Sequence, residues 1–127
     1  MNIELSGPLR PIEASAPASP RELLSARERG RIRVIPLEEV EWIEAAHNHV
    51  RLHTADQVIR RRDSIGRLEA ELASLGFVRV HRGALVRANR IRAVLTEATG
   101  RRLIELASGA RVTLGRKYLE AVRQRLA

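Results

Sequence analysis

The 127-residue chain carries 23 lysines and arginines against 15 aspartates and glutamates, a formal net charge of +8 that suits a polyanionic partner such as nucleic acid or an anionic membrane surface. That length supports one domain with a single core. There is no cysteine, which excludes a disulfide framework and a thiolate metal site and fits the reducing cytoplasm. The first residues hold no continuous apolar run, so neither a signal peptide nor a membrane span is supported, and a soluble cytoplasmic protein is expected.

Four of the five prolines (Pro8, Pro11, Pro17, Pro20) fall among Ser, Ala and Gly in the first twenty residues, where they cannot sustain a helix or a ladder. The expected organisation is a flexible Pro/Ala/Ser-rich leader over residues 1–20 and one domain over 21–127. From there short apolar runs alternate with turn signals. Strands are expected near Glu22 to Glu28, Arg31 to Pro36, Val40 to Ala45, His49 to Thr54 and Gln57 to Arg62, with Ala55-Asp56 as a hairpin tip. In His49 to Thr54, Val50 and Leu52 point one way and His49, Arg51 and His53 the other, as a period of two requires.

An amphipathic helix is expected over Ser64 to Leu75, with Ile65, Leu68, Leu72 and Leu75 in one apolar stripe and Asp63 or Ser64 as N-cap. Trp42 is expected in the core, sharing a strand face with Val40. The stretch Phe77 to Val86, FVRVHRGALV, sets Arg79, His81 and Arg82 between apolar ends before Gly83 lets the backbone turn. A buried arginine costs several kcal/mol unless paired, so one of these cations should project towards an anionic partner.

Further strands are expected near Val78 to His81, Ile91 to Ala98, Arg102 to Ala107 and Arg111 to Thr113, with Thr99-Gly100 and Ser108-Gly109 as turns. A last helix, Arg116 to Leu126, puts Leu119, Val122 and Leu126 on one face and opens on basic residues that oppose its dipole. Strands separate the two helices, so they make no helix-turn-helix, and a DNA reader built this way would use loops.

Three segments are candidate reading surfaces. In Ala46 to His49, Asn48 can pair bidentately with adenine and His47 and His49 can donate to phosphates or bases, although a polar β-turn reads the same way. Arg82 offers a planar fork for guanine or phosphate, or is a solvated surface arginine. Arg116 and Lys117 can reach a phosphate near the last helix's start, or are plain surface charges. Arg60, Arg61 and Arg62 read first as a solvated edge that discourages strand pairing. His47, His49 and His53 lack a cysteine or a well-placed carboxylate to complete a zinc site, so no metal or other cofactor is expected.

The blocks VEWIEAAHNHVRLHT (Val40 to Thr54), FVRVHRGALV and RVTLGRKYLEAV (Arg111 to Val122) resemble, in order and spacing, the LytTR DNA-binding domain of bacterial transcription regulators (LytR/AlgR type). The resemblance implies a mainly β, elongated arrangement of small antiparallel sheets with one central amphipathic helix and a C-terminal helix, serving as a response regulator output domain. It also implies DNA contact from His47, Asn48, His49, Arg82, Arg116 and Lys117, with loops entering the major groove of double-stranded DNA and pairs of domains, as a homodimer on DNA, on direct repeats. The sequence departs from the family where His47 and His49 replace a Gly and a Tyr, Arg87 replaces an Asn, and Gly115 replaces a Ser.

Two rival classes stand beside this reading. An RNA- or ribosome-associated basic β module would stack bases on aromatic side chains, whereas Trp42, Phe77 and Tyr118 all sit among apolar neighbours. A nuclease would need clustered carboxylates around a metal, and the acidic residues here are scattered, so no enzyme is expected.

Overall fold

Alternation of apolar and polar residues drives the chain into short antiparallel strands, each with one face to bury. The computed structural model describes residues 23–126; the expected leader and Glu22 lie outside them. The described elements are β1 (Leu23–Glu28), β2 (Arg31–Pro36), β3 (Trp42–Ala45), β4 (Val50–His53), β5 (Val58–Arg61), α1 (Ile65–Leu72), β6 (Phe77–His81), β7 (Ala84–Arg87), β8 (Ile91–Thr96), β9 (Arg102–Leu106), β10 (Arg111–Leu114) and α2 (Leu119–Leu126). The fold is therefore mostly β, in small antiparallel sheets with two helices, as the sequence indicates.

The strands form a β1-β2 ribbon, a five-stranded sheet ordered β5-β4-β3-β7-β6, and a three-stranded sheet ordered β10-β9-β8. The five-stranded sheet buries side chains on both faces. On one, Ile43, Leu52, Ile59 and Leu85 meet Leu68 and Leu72 of α1 and Leu24 and Ile35 of the ribbon. On the other, Val78, Val80 and Val86 meet Ile104 and Leu106 of β9, Val112 and Leu114 of β10, and Val122 of α2.

Several expectations shift in detail. β7 was not expected as a separate strand: Ala84, Leu85 and Val86 are all buried, so the run shows no alternation. Val40 closes a 3-10 turn over Leu37–Glu39 instead of opening β3, and it enters the first core. Trp42 faces the second core and is only half-buried, so the shared face and the core position expected for it are corrected. Its ring stacks on His53, its cross-strand partner, with centroids 4.0 Å apart and planes 10° from parallel. The cause is the two-residue period: Ile43, the next residue along, takes the place against α1.

The first helix is α-helical through Leu72 and tightens into a 3-10 turn over Ala73–Leu75, ended by Gly76 at φ 94°, a conformation that favours glycine. Ser64 is the N-cap, its hydroxyl accepting from the Arg67 amide at 3.2 Å. Asp63 accepts from the Ser64 amide (2.8 Å), Arg61 (3.1 Å) and Arg67 (2.7 Å). Hydrogen bonding by Arg67 leads in holding its carboxyl below the usual aspartate range, against the opposing effect of burial.

The C-terminal segment also starts differently. Arg116–Tyr118 is a 3-10 turn, and the α-helix begins at Leu119. Glu120 then lies in its first turn and Arg123 and Arg125 in its last, so the charges of α2 follow its dipole and the expected opposition disappears. Val122 is buried and Leu119 partly so, while Leu126 stays 47 % exposed.

Glu41 is the buried acid among the described residues, 6 % exposed, and it ties the two larger sheets together. Its carboxylate accepts from the Ser108 amide at 3.0 Å and the Ser108 hydroxyl at 2.5 Å, in the β9-β10 turn. Its backbone meanwhile pairs with His53 and Arg87. Glu41→Ala leaves the Ser108 donors without their acceptor, and the expected cost is about 1–3 kcal/mol in urea unfolding. An unchanged midpoint would show that the bridge adds nothing to stability.

Candidate nucleic-acid interface

The register of the five-stranded sheet decides which loops become neighbours. Antiparallel β3 and β7 pair Glu44 with Ala84, so the 46–49 loop leaving β3 and the 82–83 turn entering β7 emerge at the same end. The Ala45 amide donates to the Gly83 carbonyl at 2.8 Å, continuing that pairing into the turns. A third segment arrives from the other sheet, where the Gly115 amide donates to the Val80 carbonyl at 2.7 Å and sets Arg116 and Lys117 beside His81 and Arg82.

Arg82, Arg116 and Lys117, all exposed, thus line one cleft of about 590 Å³ with His81, Gly115 and Tyr118. Lys117 places its ammonium 5.7 Å from the centre of the Tyr118 ring. Gly115 is tightly approached: a Cβ there would stand 3.0 Å from the Tyr118 ring, so the glycine lets the ring close over the backbone. Gly83 is different. It has room for a Cβ, 3.7 Å from that of Ala45, and its φ is not positive, so the turn does not demand glycine as the sequence suggested.

The cations of the Phe77 to Val86 stretch divide by role. Arg79 is internal: it donates to the His81 carbonyl at 2.8 Å, to the Arg82 carbonyl, and to Glu69 of α1 at 2.5 Å. The His81 Nδ1 accepts from the Gly83 amide at 3.1 Å, which places the proton of the neutral ring on Nε2. Both residues brace the turn. Arg82 is left with no hydrogen bond or ion pair on its side chain among the described residues, and the same holds for Arg116.

Arg87, where the resembling family has asparagine, turns inward. It donates to the Val40 carbonyl at 3.0 Å and to the Leu37 carbonyl, and lies 4.7 Å from the centre of the Phe77 ring. Burial, then Arg90, holds its pKa below the ordinary arginine value. This guanidinium fastens the 3-10 turn to the sheet.

The 46–49 loop is closed by the Ala46 amide donating to the His49 carbonyl at 2.8 Å. The His49 Nδ1 lies 3.1 Å from the Asn48 Oδ1, which can only accept. Asn48 and His49 line a second cleft, of about 350 Å³, with Arg27, Arg60 and Arg62; His47 is exposed and lines neither cleft. The predicted residues therefore form two neighbouring groups, not one pocket. Arg27 was missed, because only the packing of the ribbon against β5 brings it there, whereas the alternation of Arg60 and Arg62 was visible.

Partial desolvation, followed by the fields of Arg60 and Arg51, lowers the pKa of His49 from its ordinary value. Arg60→Ala should therefore raise it, as measured by NMR titration of the His49 ring. No upward movement would mean that Arg60 does not bear on the loop.

No group of three or more His, Cys, Asp or Glu among the described residues is placed to hold a metal ion. No described helix is long and apolar enough to cross a membrane. A mostly β domain that collects exposed cations on loops at one end of a sheet is built to meet a polyanion with those loops.

The family model of the LytTr DNA-binding domain matches residues 30–127, and the chain belongs to that family. It is 35 % identical over 113 residues to the positive alginate biosynthesis regulatory protein of Pseudomonas aeruginosa, a match covering 87 % of this chain and 45 % of the relative. The chain thus spans about half the length of that relative. A LytTr DNA-binding domain from Bacillus cereus superposes with a TM-score of 0.72 at 21 % identity, covering 83 % of this chain and 96 % of that one, and shares the fold.

Proposed function

We propose that this DNA-binding chain reads double-stranded DNA as the output domain of a bacterial transcription regulator, inserting its loops into the major groove. The observation that carries the reading is the cleft in which Arg82 and Arg116, far apart in sequence, stand together without side-chain partners among the described residues. Sheet pairing and the Arg79 braces fix the backbone beneath Arg82, so its fork can be directed at a base edge. Asn48 and His49 form the adjoining contact, and Lys117 supplies affinity at the backbone. The family's pairing on direct repeats suggests two copies per operator, with the DNA-binding domain assigned to residues 21–127 and a leader to 1–20.

Selection from random duplexes is the test. Enrichment of one recurrent direct repeat, bound by two copies and not displaced by single-stranded RNA, is the expected result. Recovery of unrelated sequences with equal affinity would overturn the sequence-specific reading.

A further inference from the structure

We propose that the cleft between the β1-β2 ribbon and edge strand β5 is a seat for a backbone phosphate of the DNA duplex, held by Arg27, Arg60 and Arg62 beside the Asn48-His49 loop. The proposal rests on the DNA-binding reading above and adds a contact from a part of the chain that the family match does not reach, since Arg27 precedes the matched residues 30–127. Among the described residues three guanidiniums line this cleft and no carboxylate does. Arg60 also sits directly across from Arg51 in the β4-β5 pairing, an arrangement of like charges that opposes folding.

The nearby described acids pair with other residues, and Glu44 offsets this repulsion only from the Arg51 side. Glu28 pairs with Arg31 at 3.3 Å and Arg33 at 3.5 Å. Glu44 pairs with Arg51 at 3.6 Å and His53 at 3.0 Å. Asp63 takes Arg61 at 3.1 Å and Arg67. The Asp63 pairing separates Arg61 from its neighbours in the arginine run, leaving Arg60 and Arg62 exposed, and with Arg27 they have no side-chain partner among the described residues. As β5 is an edge strand, its arginines also protect against edge pairing, but that role would be served without Arg27.

A fork-shaped cation suits phosphate oxygens, and several around one concavity suit a single phosphate better than scattered contacts. The seat adjoins the 46–49 loop, so a phosphate held there would fix that loop's register on the duplex while leaving base choice to other side chains. The side-chain NH2 of Asn48 would then close the anion's open side, with the His49 ring beside it as a reporter.

The test uses the full chain, with Arg27→Ala, the double variant Arg60→Ala/Arg62→Ala, and Arg60→Lys/Arg62→Lys as a charge-preserving control. Binding to selected and scrambled duplexes is measured across a salt series, and inorganic phosphate is titrated while the His49 ring is followed by NMR. The alanine variants should weaken both duplexes by the same factor and reduce the slope of log affinity against log salt by about one unit. The lysine variant should restore most of the slope. Substituted residues are exposed, and circular dichroism confirms that the variants are folded.

If the wild type binds DNA and the alanine variants keep its full slope, the seat is overturned and the DNA-binding reading stands. If the wild type binds no duplex, both fail together. A His49 response that saturates with inorganic phosphate without weakening duplex binding would assign the cleft to a small phosphate ligand and overturn the backbone source. No such response, with loss of slope in the variants, supports it.

Discussion

Replacing Leu68 by alanine is expected to destabilise the domain by about 2–5 kcal/mol, the range for deleting a fully buried leucine and leaving a cavity behind. Leu68 is 0 % exposed, in the cluster where α1 meets Ile43, Leu52 and Leu85 of the five-stranded sheet. The α-helical part of α1 spans only eight residues, too few to be stable alone, so its hold on the sheet comes from this apolar stripe and from its Ser64 cap. Ile65→Ala should cost less, because Ile65 is only partly buried at the margin of the same cluster. Leu68→Met, which nearly conserves volume, should cost less than about 1.5 kcal/mol. Urea unfolding of the three variants checks the order, and full retention of stability in Leu68→Ala would remove α1 from the core.

Much of this arrangement was legible because strands with one buried face write their period into the sequence. β4 shows it: Val50 and Leu52 are buried, Arg51 is exposed and His53 half-buried. Gly100 and Gly109 likewise mark turns at φ 92° and 95°. The signal failed where both faces are covered. β7 is buried throughout and has no period, although it is the strand that joins the 82–83 turn to the centre of the sheet.

Partners distant in sequence were the other failure. Arg79, Arg82 and Arg87 read alike in a string of letters, but Glu69, the Leu37 and Val40 carbonyls and the Phe77 ring draw two of them inward. Only Arg82 is left facing outward. Trp42 reads as a core residue by its chemistry, yet its register against His53 and Val86 puts it at the margin of the second cluster. The neighbourhood of Arg82 and Arg116 is set by the packing of β6 against β10 and α2 together with the backbone hydrogen bond from Gly115 to Val80, for which no local pattern codes.

That neighbourhood leads to the second large effect. If Arg82 and Arg116 read base edges, alanine at either should cost about 1–3 kcal/mol on the selected duplex and relax preference at one base position, while a scrambled duplex loses much less. Because both guanidiniums line one cleft with Lys117, the double variant should depart from the sum of the single losses; residues sharing a cleft couple through the same ligand. Arg79→Ala separates positioning from contact. Arg79 braces the carbonyls of His81 and Arg82 from within, so its loss should loosen the turn and diminish base preference while changing the salt slope little. Binding of all four variants to matched and scrambled duplexes across a salt series supplies the measurement. Equal losses on both duplexes for Arg82→Ala and Arg116→Ala, each with a slope smaller by about one unit, would make them phosphate anchors and leave base choice to the 46–49 loop.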